Sequence, residues 1–202
     1  MPRLLLATRN RGKQEELLAL LSSQSLEILT PQDLKLELQV EETGATYAEN
    51  ARLKALTYAA QSGLWSLSDD SGLEVEVLDG APGLRSARLA GEGKSDSERR
   101  HVLLEMLTDH ARPWEALFRA TVALAGPFGE IEIAEGQCAG EIITEERGTG
   151  GFGYDPIFLV HMVGKTMAEL GMEEKNQISH RAQAIEAIQP VLEARLAPNE
   201  GK

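Results

Sequence analysis

A single cysteine, Cys138, in 202 residues leaves no partner for an internal disulfide and no cysteine-built metal site. A reducing cytoplasm is the simplest setting. No apolar run approaches the roughly 20 residues of a membrane helix. The opening stretch, Leu4 to Ala7, is too short for a secretory leader and reads as a buried first strand. Cations are scarce: 20 Lys and Arg against 32 Asp and Glu give a formal net charge of −12, the opposite of what phosphate-backbone binding needs. These shortages argue against a membrane protein and against a DNA or RNA partner. They leave open one small phosphorylated ligand, neutralised by a few local cations and a metal. Repeats, low-complexity tracts and linkers are missing too. One domain over residues 1–197 is expected, with a disordered tail at 198–202.

What is present reads as mixed α/β. Leu4 to Ala7 is a strand and Asn10 a plausible helix N-cap, with Leu17, Leu18, Leu20 and Leu21 as the apolar face. Leu34, Leu36, Leu38 and Val40 alternate as a strand would. Thr46 and Glu49 form a capping box for a helix that Gly63 ends. Trp65 to Ser68 is read as a strand running into a loop at Asp69-Asp70-Ser71-Gly72, with a second strand after it. Ser95 and Glu98 cap a third helix whose apolar stripe is Val102, Leu103, Met106 and Leu107. Gly126 to Gly129 connects two strands, Pro156 to Val160 is extended, and Ser179 is placed to cap a last helix that contains Pro190.

Four groups of residues have the types that phosphate chemistry uses. Thr8 to Lys13 is a strand-turn-helix corner, where free N–H groups and the helix dipole favour anions. It lacks Walker A spacing, and taken alone it is equally a helix start with basic decoration. Asp69-Asp70 and Glu41-Glu42 could each supply a carboxylate to a magnesium ion, which takes one or two and keeps waters. Neighbouring strand residues face opposite ways, so one aspartate would enter a given site and the other would orient the loop. Gly148 to Pro156 packs four glycines around Phe152 and Tyr154, which suits close backbone approach to a ligand and a base stacked on an aromatic face. Lys175, His180 and Arg181 bring three potential cations close together. Asn50 and Lys54 share one helix face and make a polar patch that is either solvated or turned to phosphate.

In this order the motifs resemble the inosine/xanthosine triphosphate pyrophosphatase family. The resemblance runs through Thr8-x-Asn10-x-Gly12-Lys13, Glu41 to Gly44, Glu49-Asn50-Ala51 with Lys54, Ser68 to Leu73, Gly80 to Gly83 with Ser86 to Arg88, Gly148 to Pro156, and Lys175 with Ser179 to Arg181. Arg9 stands where a glycine is common. The resemblance implies an elongated two-lobed α/β domain around a long central mixed sheet, with a nucleotide cleft between the lobes, and a homodimer. It implies Mg²⁺ as cofactor, on Asp70 with Asp69, Glu41 or Glu42 as candidate further ligands. Asp70 would be the general base and Lys13 its catalytic partner. Thr8, Arg9, Asn10, Arg11, Gly12, Lys13 and Lys54 would hold the triphosphate; Ser71, Phe152, Gly153, Tyr154, Asp155, Lys175, His180 and Arg181 would contact the nucleotide. The expected reaction is hydrolysis of ITP, dITP or XTP to monophosphate and pyrophosphate. A Maf-like pyrophosphatase, a non-catalytic nucleotide sensor and a P-loop phosphotransferase are the competing readings.

Overall fold

The computed structural model describes residues 1–197; the tail expected at 198–202 lies outside them. Its strands are β1 (Arg3–Leu6), β2 (Glu27–Leu29), β3 (Trp65–Val75), β4 (Trp114–Ala125), β5 (Ile131–Ile142), β6 (Phe158–Val160) and β7 (Lys165–Thr166). They make one sheet in the order β2-β1-β3-β4-β5-β6-β7. β1 pairs parallel with β2 and β3, whereas β6 pairs antiparallel with β5 and β7, so the sheet is mixed, as expected. The helices are α1 (Arg11–Leu20), α2 (Tyr47–Ser62), α3 (Asp96–Leu107), α4 (Met172–Ile178) and α5 (His180–Leu196). None of the described helices is long and apolar enough to cross a membrane.

The chain divides into two compact units, each built from separated segments. Among the described residues the first comprises 1–70, 120–136 and 181–197, the second 71–119 and 137–180. In the first unit Leu4 and Leu6 of β1, Leu17 and Leu21 of the α1 region, Val122 and Leu124 of β4 and Ile188 and Leu192 of α5 form one buried cluster. Each large aliphatic side chain buried this way contributes about 1.5–3 kcal/mol. α2 packs through Ala51, Ala55 and Ala59 against Ala123 and Ala125, small residues that let helix and strand approach. The second unit centres on Leu73, Leu103, Leu107, Phe118, Tyr154 and Phe158.

The caps fall where local chemistry puts them. Asn10 accepts from the Lys13 N–H, Thr46 from the Glu49 N–H, and Gly63 closes α2 at φ +68°. Ser95 and Glu98 make a full capping box on α3. Three expectations need correction. Asp69 to Gly72 is no loop but the middle of an eleven-residue strand, continuous because both of its ends carry buried apolar residues. Leu34 to Val40 does face one way, onto Leu5, Ala7 and Tyr58, yet it joins no sheet: Lys35 adopts φ +53° and breaks the extended run. Met106 lies outside the α3 stripe and is exposed.

Candidate functional site

The first unit gathers charge at one place. Lys54 of α2 donates to Asp70 Oδ1 at 2.9 Å, to Glu42 Oε1 at 2.7 Å and to the Asp69 carbonyl at 2.7 Å. Asn50, one turn earlier on α2, donates from Nδ2 to Asp70 Oδ2 at 3.2 Å and accepts the Gly44 N–H at 2.8 Å. A Cβ on Gly44 would stand 2.7 Å from that same Asn50 oxygen, so glycine here lets the 41–46 segment close onto α2 and bring Glu42 to Lys54. Burial raises the Asp70 pKa and Glu42 adds to the rise, while Lys54 and Lys13 pull against it. For Lys54, burial works against the charge, but Asp70 and Glu42 outweigh it and its pKa is raised. An oxygen donor set next to a trapped ammonium is a place that favours positive charge.

Asp69 turns the other way and serves another purpose. Its carboxylate meets Lys13 at 2.5 Å, and Arg181 Nε and NH2 at 3.1 and 3.3 Å, while Arg181 also pairs with Glu16 of α1. Burial opposes the Asp69 charge, but Arg181 and Lys13 win and hold its carboxyl far below the usual carboxylate range. All three members of the Asp69–Arg181–Glu16 set are buried. The Asp69 oxygens are thus engaged by Lys13 and Arg181, and the Arg181 guanidinium lies between the Asp69 and Glu16 carboxylates. Strand alternation foresaw the split between the two aspartates.

The remaining phosphate candidates surround the start of α1. Thr8 Oγ1 accepts the Asn10 N–H, and Gln14 Nε2 donates to the Thr8 carbonyl at 2.7 Å, bracing the turn. Arg9 and Arg11 are exposed beside it, and Gly12 and Lys13 are half-buried. Burial lowers the Lys13 pKa despite the attraction of Asp69. Glu41 is exposed, and its side chain is not among the groups that meet Lys54 or Asp70. Ser71 follows Asp70 along β3 and is half-buried.

The second unit holds the aromatic loop. Asp155 Oδ2 accepts the Phe152 N–H at 2.9 Å and the Lys175 ammonium at 2.6 Å, and both side chains of this ion pair are buried. Lys175 also stands 5.7 Å from the centre of the half-buried Phe152 ring. Gly151, at φ +70°, faces the Asp155 carboxylate so closely that a Cβ would overlap it. The glycines therefore answer to the loop's own packing before any ligand. Tyr154 is a core residue, and its hydroxyl donates to the Ser86 carbonyl at 2.8 Å. Burial raises its pKa accordingly. His180 is buried and stacked on Phe118, centroids 4.8 Å apart and planes 13° apart.

Sequence reasoning missed Glu16 and Gln14. Glu16 lies three residues after Lys13 and so on the same helix face, which was the available signal.

The mixed sheet and the helices around it define an α/β protein. Residues 4–191 match the Ham1 family, and the chain belongs to it. It is similar to the dITP/XTP pyrophosphatase of Desulforamulus reducens, 46% identical over 194 residues that cover 94% of this chain and 95% of that protein. It is similar to the dITP/XTP pyrophosphatase of Geobacter sulfurreducens at 46% identity, covering 92% and 94%. Among solved structures, a HAM1 protein from Coxiella burnetii superposes with a TM-score of 0.83 at 41% identity, covering 95% and 98% of the two chains. The Staphylococcus aureus Ham1 protein gives 0.83 at 39% identity, covering 96% and 99%.

Proposed function

We propose that this chain hydrolyses non-standard purine nucleoside triphosphates, ITP, dITP and XTP, to the monophosphate and pyrophosphate, removing them from the nucleotide pool. The observation that carries the reading is the Lys54 ammonium held between Asp70 and Glu42, in the same unit as the Thr8–Lys13 helix start. Asp70, oriented by Asn50 and with its pKa raised by burial, is suited to accept a proton from the attacking water. Lys13 and Lys54 stabilise charge on the phosphates, and the first N–H groups of α1 receive phosphate oxygens.

Asp70 and Glu42 fit Mg²⁺: both are carboxylates, and both already share one cation. Among the described residues no group of three or more His, Cys, Asp or Glu is placed to hold a metal ion, and Asp70 and Glu42 are the two side chains that would hold Mg²⁺ here. When bound, Mg²⁺ supplies neutralisation of the charge that builds on the pyrophosphate leaving group.

Phe152 offers the face on which the purine stacks, and Lys175, fixed by Asp155, is a donor for its 6-oxo group. Adenine places an amino group there, so donor meets donor, and each buried polar group left unpaired costs about 1–3 kcal/mol. On the same reading the protein is a cytoplasmic homodimer that binds neither nucleic acid nor membrane, and sedimentation velocity tests the dimer. The activity is tested with ITP, XTP, ATP, GTP and TTP in turn, products separated by ion exchange. IMP with pyrophosphate from ITP, and little from ATP or GTP, is the expected result. IDP with phosphate, or no turnover, would overturn the reading.

A further inference from the structure

Helix α3 carries none of the candidate site residues named so far, yet its first turns take hold of the aromatic loop. The Gly153 N–H donates to Asp96 Oδ2 at 2.7 Å, and the Gly153 carbonyl accepts from Arg100 NH1 at 2.8 Å. Asp96 and Arg100 are four residues apart and so share a helix face. Each is itself held. Asp96 pairs with Arg99 through its other oxygen, and Arg99 continues to the Ala87 and Lys94 carbonyls at 3.0 and 2.7 Å. Arg100 makes a two-pronged pair with Glu146 at 2.8 and 2.9 Å, a geometry that fixes the guanidinium plane.

Gly153 sits at φ +62° between Phe152 and Tyr154, in a stretch with four glycines in six residues. Such backbone has the most freedom to lose on ordering. Successive N–H groups at 152 and 153 are each taken by a carboxylate, Asp155 and Asp96. The protein's own acids thus fill the positions that would otherwise draw a phosphate, which leaves the aromatic ring as what the loop offers. Burial opposes charge on Asp96, but the Gly153 N–H and the two arginines outweigh it and hold its pKa below the usual range.

We propose that Asp96 and Arg100 are positioning residues, which clamp both backbone groups of Gly153 and so set the Phe152 ring for the purine base. The proposal rests on the reading of this loop as the base-binding element. It separates two functions: the clamp acts on base affinity, while phosphate affinity belongs to the Thr8–Lys13 turn and Lys54.

The test uses the full chain with Asp96→Ala, Arg100→Met and, as control, Glu98→Ala, which breaks the α3 capping box without touching Gly153. KM and kcat for ITP are measured with the inhibition constants of IMP and of pyrophosphate. Asp96→Ala and Arg100→Met should raise KM and the IMP constant about tenfold, with kcat within about twofold and the pyrophosphate constant unchanged. Asp96→Asn, keeping one oxygen for the Gly153 N–H, should recover most of the affinity. Glu98→Ala should lower the melting temperature and leave KM alone. If Asp96→Ala does not fold, Arg100→Met and Asp96→Asn carry the comparison. Variants that behave like Glu98→Ala, less stable but unchanged in KM, would overturn the clamp. So would a pyrophosphate constant that rises together with that of IMP. Wild-type protein inert toward ITP would instead overturn the proposed function, a result separable from the other two.

Discussion

Arg181 grips Asp69 through two bonds, Nε to Oδ2 at 3.1 Å and NH2 to Oδ1 at 3.3 Å, with both side chains shut away from solvent. The pair ties the first residue of the first unit's last segment to the middle of β3, next to Asp70. Removing one member leaves an uncompensated buried charge, which costs about 3–5 kcal/mol. Arg181→Met should therefore lower unfolding stability by that order in urea titration. Arg181→Met with Glu16→Gln, which removes a stranded carboxylate, should recover part of the loss.

Asp70 is expected to behave differently from its neighbour. Asp70→Asn keeps the shape and one acceptor for Lys54, so the fold should hold, while turnover of ITP falls at least about 100-fold. Circular dichroism and steady-state rates on the same preparation check both halves. A folded Asp70→Asn enzyme with near-normal kcat would remove Asp70 as the base.

The Asp70 and Glu42 carboxylates also predict metal behaviour. Chelation should abolish activity and added Mg²⁺ restore it. Glu42→Gln should raise the Mg²⁺ concentration for half-maximal rate several-fold, since one of two carboxylates is lost. Glu41→Gln should leave that concentration unchanged, because Glu41 stands apart from Lys54 and Asp70.

Cys138 gives a pH dependence with a definite sign. Burial pushes its thiol up to about 11 from an ordinary value near 9. A pKa raised in the folded state contributes stability that is complete below the unfolded value and is lost as pH rises through the folded one. Cys138→Ala should therefore show a smaller loss of stability than wild type between pH 9 and 11. At pH 8 the native thiol should resist aromatic disulfide reagents and react only on unfolding.

How much of this could be read from the chain depends on the range of the interaction. Asn10, Thr46, Gly63 and the Ser95–Glu98 box were legible because a cap is settled within four residues. Asn50 and Lys54 were legible as one helix face, and they do meet at Asp70. The Asp69–Arg181 bond was not: it joins residues 112 apart, and sequence cannot say which of two adjacent acids faces a cation. Asp96 and Arg100 were hidden for the same reason, since their partner is the backbone of a glycine, which carries no side-chain signal. The burial of Tyr154 was hidden because aromatics in a glycine-rich stretch look exposed until tertiary packing is known.

In the proposed reaction water attacks the α-phosphorus of ITP and pyrophosphate leaves. Single-turnover hydrolysis of ITP in ¹⁸O-labelled water, followed by mass spectrometry of both products, tests it most directly. One labelled oxygen in IMP and none in pyrophosphate is the expected result; label in pyrophosphate would place the attack on the β-phosphorus and overturn the proposed reaction.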